Sequence, residues 1–201
     1  AMKAGKPVAW NTADKEIGNA LTQIAAAGKR TVILSSTVIS PSTNKAIAEF
    51  AAKFGNIDHV TYDAIPYDAI PKANASVFGK AVIPTYRFDK ALAIASFGAD
   101  FLGTWLDHNL YEGDFAKTRN PKGEMSRLFS FETVMSLTGA NADYRSALKQ
   151  SEIAHALISL YNKISGASLP CVKTAHEAQI SKCADYLKAN KGKALVVCGL
   201  N

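Results

Sequence analysis

Three stretches of the 201-residue sequence gather side chains able to bind a ligand: Ser35-Ser36-Thr37, Ser96 with Gly98 and Asp100, and Glu132-Thr133. Each follows an apolar run of strand type. In a parallel α/β sheet such strand ends share one edge, and ligands bind along that edge. Hydroxyls there can donate to an anion, and a carboxylate such as Glu132 can accept hydrogen bonds from a ribose. These three clusters are therefore the candidate ligand-binding residues. Ser and Thr at strand ends also satisfy loop backbone groups and cap the helices that follow, so the pattern alone names no ligand.

No residue stands out as catalytic. The histidines at 59, 108, 155 and 176 are scattered, and only His108, beside Asp107, lies near the polar strand ends. A histidine–aspartate pair can move protons, but neighbours in sequence seldom face the same way. The sequence has no Gly-x-Ser-x-Gly elbow, no Gly-x-Gly-x-x-Gly turn and no Gly-x-x-x-x-Gly-Lys-Ser/Thr loop. Cys171, Cys183 and Cys198 form no Cys-x-x-Cys pair. They read as small core residues rather than ligands of zinc or an iron–sulfur cluster, so no metal site is expected in these residues.

The elements that must position these residues alternate helix and strand. Ile17, Leu21 and Ile24 give a helix opened at Asn11-Thr12 and ended by Gly28. A strand covers 30–36. Ser40-Pro41 pairs an N-cap with a first-turn proline, opening a helix to Phe54 that Gly55 closes. A short strand at 58–63 leads into an irregular stretch holding Pro66, Pro71 and Pro84, with room for one short helix. Strands at 90–96 and 125–132 flank a helix near 109–119. The sequence SLTGANADYRSALK reads as a loop and a short extended piece. A helix at 151–164 ends at Gly166, and Thr174 with Glu177 forms a capping box for a helix to Ala189. The last strand covers 193–199. This is a doubly wound α/β layout with a mostly parallel sheet. Its seam is expected at Ser165–Lys173, giving a domain at 1–165 and the start of a second lobe at 166–201. Ala1 before Met2, and an end just after a strand, suggest a piece cut from a longer protein.

The chain is 48% hydrophobic and carries a net charge of +6. Its basic residues are thinly spread, with no stripe interleaved with aromatics, so nucleic acid is not expected as a partner. No apolar run approaches the roughly 18–20 residues that span a bilayer, so these residues are not expected to insert directly into a membrane.

Four segments, taken in order, resemble the molybdopterin oxidoreductase superfamily, which includes formate dehydrogenases and DMSO reductases. WNTADKEIGNAL is similar to its Trp-Asp-Glu-Ala-Leu segment. STNKAIAEFAAKFGNID is similar to its Thr-Asn-Glu helix and the Asn-Ile-Asp that follows. KALAIASFGADF resembles its strand and Gly-x-Asn-Pro loop, and FSFETVMSLTGANADYRSALKQSEIAHALISL its Asp-Pro-Arg strand and the helix beyond. Within the superfamily, SLTGANADYR and FGADFLGTW resemble a divergent branch, the large iron–sulfur subunit of alternative complex III.

The resemblance implies a Rossmann-like α/β domain in an iron–sulfur subunit of a respiratory electron-transfer complex. It implies a place on the periplasmic side of a bacterial inner membrane, with other subunits of the complex as partners. Iron–sulfur clusters would lie elsewhere in the parent chain. Several departures separate this chain from catalytic members. HVTYDAIPYDAI holds no Cys or Ser where a metal ligand is expected, and Glu132-Thr133-Val134 replaces Asp-Pro-Arg, which removes a guanidinium partner for a pyrophosphate. Ser36, Gly98, Asp100 and Glu132 would then be a vestigial site, and the domain a scaffold free of molybdopterin. Two alternatives stay open: part of a working molybdopterin-dependent oxidoreductase, or an unrelated α/β module for a small anion. Phe101, Leu102 and Trp105 are candidates for an exposed apolar docking patch.

Overall fold

The computed structural model describes residues 1–64 and 66–199. Contacts divide the chain into two units, Ala1–Asp68 and Ala69–Asn201. The seam expected at residues 165–173 carries no such division, because the final strand joins the sheet formed by the strands before it.

In the first unit, β1 (Met2–Lys3) and β2 (Lys6–Pro7) make a small antiparallel hairpin ahead of α1 (Trp10–Ala26). β3 (Thr31–Ser35) and β4 (Ile57–Thr61) pair in parallel, from Thr31 opposite Ile57 to Ser35 opposite Thr61. They are joined by α2 (Pro41–Phe54). Ser40 caps α2 as its sequence predicts, its Oγ accepting from the Thr43 N–H at 3.3 Å with Pro41 in the first turn. α1 begins at Trp10 instead of Asn11-Thr12, and no side chain caps it.

The second unit opens with α3 (Ala69–Phe78), the short helix allowed for in the proline-rich stretch. A single 3₁₀ turn at Phe88–Lys90 precedes β5 (Ala93–Phe97), α4 (His108–Lys117) and β6 (Arg127–Glu132). Then come α5 (Leu137–Ala140), β7 (Tyr144–Ala147), α6 (Gln150–Ser165), α7 (Glu177–Ala189) and β8 (Ala194–Cys198). The four strands lie in the order β7-β6-β5-β8, all parallel, with Phe97 opposite both Phe131 and Cys198.

That order has a physical consequence. From β5 the chain steps one way through β6 to β7, then returns past both to place β8 on the other side of β5. Parallel crossovers are right-handed, so reversing direction moves the connecting helices to the opposite face. The core agrees. On one face Ala93, Ala95, Phe97, Phe129 and Phe131 pack with Ile153, Ala156 and Leu160 of α6 and Ile180, Cys183, Ala184 and Leu187 of α7. Ile94, Leu128 and Val197, alternating with these, are buried on the other face. A second aromatic group joins Phe88, Phe101, Tyr111 and Phe115, with Phe88 stacked on Phe101 at 4.1 Å and Phe101 edge-on to Phe115 at 5.5 Å. The second unit thus has the layered plan of a doubly wound α/β sheet.

Phe101 and Trp105 are core residues, 0% and 3% exposed, and not the exposed patch their loop position suggests. Trp105 lies 5.1 Å from the Tyr86 ring and 6.0 Å from Tyr111. Leu102 is half-buried. The exposed apolar residues of this region are instead Val134, Met135 and Leu137. Among the described residues no helix is long and apolar enough to cross a membrane.

Candidate functional site

A doubly wound sheet offers its ligand crevice beyond the carboxyl ends of its strands, where the strand order reverses. Here that point lies between β5 and β8. Gly98 leaves β5 with φ +64°, a conformation that glycine adopts without strain. Its N–H donates across to the Phe131 carbonyl at 2.9 Å. Gly199 leaves β8, and its N–H donates to the Phe97 carbonyl at 3.0 Å. The two loops then abut. A Cβ on Gly199 would stand 2.6 Å from the Gly98 oxygen and 2.7 Å from the Ala99 Cα. The Ser96 hydroxyl, buried in β5, donates to the Ala99 carbonyl at 2.7 Å and holds the turn closed.

Asp100 organises the next loop. Its backbone carbonyl accepts from the N–H groups of Gly103, Thr104 and Trp105 at 2.9–3.0 Å. Its side-chain Oδ1 accepts from the Thr138 N–H at 3.0 Å, and Thr138 Oγ1 accepts from the Leu102 N–H at 3.0 Å. Asp100 and Thr138 therefore tie the loop after β5 to the single turn of α5.

Glu132 is the counterpart at the end of β6 and is 5% exposed. Arg145, on the adjacent β7, donates its Nε–H to Oε1 at 2.5 Å. The Ser136 hydroxyl donates to Oε2 at 2.6 Å, and Ser136 Oγ in turn accepts from the Gly139 N–H at 3.0 Å. Gly139 is pressed against the carboxylate, since any Cβ there would overlap Glu132 Oε1. A buried carboxylate needs a charged partner and filled lone pairs; Arg145 and Ser136 supply both.

Gly98, Asp100 and Glu132 thus share one edge of one sheet. Ser36 belongs to the first unit, after β3, and is exposed; its carbonyl accepts from the Ser35 hydroxyl at 2.7 Å. The same economy holds there: Asp63, after β4, accepts from the Thr37 N–H at 2.8 Å and from the Thr37 hydroxyl. Asp107 caps α4 through the Leu110 N–H at 3.5 Å, so its carboxylate serves the helix whose first residue is His108.

Arg145, Ser136, Thr138 and Gly139 were not singled out in the sequence. Arg145 brings its guanidinium to Glu132 from the neighbouring strand. An arginine two residues into the next extended segment was the available signal.

The cysteines are not joined by disulfides. Burial pushes the Cys183 thiol up to about 12, so it stays protonated in the core. Burial, and then the nearness of Cys198, raises the Tyr86 phenol. Among the described residues no three His, Cys, Asp or Glu side chains come together to hold a metal.

No family model matches this sequence, and no curated protein is significantly similar to it.

Proposed function

We propose that this α/β domain is a scaffold without catalytic residues of its own. Its parent would be a molybdopterin-oxidoreductase-like iron–sulfur subunit of a respiratory electron-transfer complex, on the periplasmic side of a bacterial inner membrane. The observation that carries the scaffold reading is the state of Asp100 and Glu132. Both carboxylates are satisfied by donors from the chain itself, Thr138 for one and Arg145 with Ser136 for the other.

A nucleotide pyrophosphate at this edge would meet two carboxylates. It would have to take Arg145 from Glu132, leaving a buried charge unpaired. It would also meet the Gly98–Ala99 and Gly199 backbones in close approach where the strand order reverses. These residues do not fit the nucleotide end of a molybdopterin cofactor. The domain's contribution is its shape: a rigid four-stranded sheet on which other subunits and the cluster-bearing part of the parent can be arranged.

Metal and pterin analysis of the parent protein, purified from its native source, tests this. Iron without molybdenum, tungsten or pterin is the expected result. About one molybdenum or tungsten per chain, with pterin, would overturn the scaffold reading. An absence of iron as well would remove the electron-transfer assignment and leave the scaffold.

A further inference from the structure

β8 is an edge strand. Among the described residues its one hydrogen-bonded neighbour in the sheet is β5, so half of its backbone donors and acceptors point away from the sheet. Proteins defend such edges with charges, proline or bulges. The five residues of β8, Ala-Leu-Val-Val-Cys, contain none of these.

Two hollows flank this edge. One, of about 450 Å³, is lined by Ile164 of α6, Leu187 of α7, and Ala194 and Val196 of β8, together with Lys188 and Lys191. The other, of about 360 Å³, is lined by Ala69, Ile70 and Ala73 of α3, with Tyr86 and the last three residues of β8. Val196 belongs to both and is 42% exposed. A strand laid beside β8 would send alternate side chains to opposite faces, one set toward each hollow.

Charge selects what such a strand carries. From Tyr186 to Gly199 the chain has three lysines and no carboxylate. Lys193 reaches Glu124 at 3.9 Å. Lys188 and Lys191 pair with no carboxylate among the described residues, and both line the larger hollow where β8 begins.

We propose that β8 is a strand-addition site for an extended segment of a partner protein, apolar along its length and acidic at the end lying beside Lys188 and Lys191. Main-chain hydrogen bonds to β8 would hold the segment, and the two hollows with the lysines would choose it. This inference stands on β8 alone and does not depend on the scaffold reading of the opposite strand ends.

The test uses the 201-residue chain and a fluorescein-labelled octapeptide of alternating valine and threonine with two terminal glutamates, made with the acidic pair at either end. Fluorescence anisotropy should show saturable binding of one of the two. Replacing the glutamates by lysines should weaken it at least ~10-fold, and so should N-methylation of alternate backbone amides, which removes the ladder donors. The K188E/K191E double variant, checked for its fold by circular dichroism, should reverse the preference toward the lysine-tipped peptide. Equal binding of all peptides, or binding of none, overturns the proposal. Sedimentation showing a dimer that Val196→Lys abolishes would also overturn it, by giving the edge to a second copy.

Discussion

The two units of this chain are built from the same parts and bury them very differently. The first has two parallel strands and two long helices, yet no described residue of it is buried. The second encloses Phe88, Phe97, Phe101, Phe129 and Phe131 completely. The reason is geometric. Two parallel strands cannot bury both faces. In register, Leu34 lies opposite Val60 on one face of the β3–β4 pair, and these are 68% and 41% exposed. Four strands with helices arriving from both winding directions close over an aromatic core. Helices of both units carry an apolar face, and sheet width and winding help turn that pattern into burial.

The sharpest way to break this comparison is to cut into the wider sheet. Phe131→Ala removes a ring stacked on Phe97 at 4.6 Å and should cost about 3–5 kcal/mol in urea unfolding. If the loss were under ~1 kcal/mol, the second unit would not be the tight core described. Gly139→Ala should come next. Its Cβ would overlap the Glu132 carboxylate, for about 1–3 kcal/mol, and the same substitution made in a Glu132→Ala background should cost less, because the overlapping carboxylate is gone.

Acid should act on the second unit through Asp143. Burial works to raise its pKa, but Arg119, the Leu128 N–H and Arg127 outweigh burial and hold it below the ordinary carboxylate value. A carboxyl depressed in the folded state stabilises above its unfolded pKa, and that contribution is lost as pH falls through the folded value. Stability measured by urea titration should therefore drop below about pH 4, and Asp143→Asn should flatten the drop. An unchanged pH dependence in the variant would remove Asp143 from the account.

Thiol labelling sharpens the comparison within the second unit. Cys183, buried and held protonated, should react roughly 100-fold or more slowly than half-buried Cys171, and should match it once urea unfolds the chain. The smallest effect belongs to the first unit: Leu34→Thr, on the exposed strand face, should change stability by no more than about 0.5 kcal/mol. A loss as large as that of Phe131→Ala would mean this face is buried in solution.

Much of the fold was legible because it is local. Ser40-Pro41 opens α2 and Gly166, at φ +75°, closes α6 as their types require. Thr174-Glu177 is half legible: Glu177 accepts from the Thr174 N–H at 3.4 Å, but Thr174 Oγ1 accepts from the His176 N–H, and α7 starts later than the box implies. α5 was read as loop because a four-residue turn has no periodicity to detect. The placement of β8 beside β5 was not legible at all. It joins residues about a hundred positions apart, and nothing in Ala194–Cys198 names its neighbour. The same holds at the site: types and strand ends pointed to Asp100 and Glu132, but their partners come from α5 and β7, which only the sheet order brings near.

The central claim is that Asp100 and Glu132 hold the fold and do not wait for a ligand. Residues kept for binding commonly cost stability, so neutralising them leaves a protein as stable or more so. Posts behave the other way. Equilibrium urea unfolding of Asp100→Ala and Glu132→Gln, followed by Trp105 emission in a Trp10→Phe background, separates the two. Each variant should lose about 1–4 kcal/mol, the larger loss falling on Glu132→Gln because Arg145 is left without its counter-charge. Unchanged or increased stability in both would contradict the claim and return this edge of the sheet to the list of ligand sites.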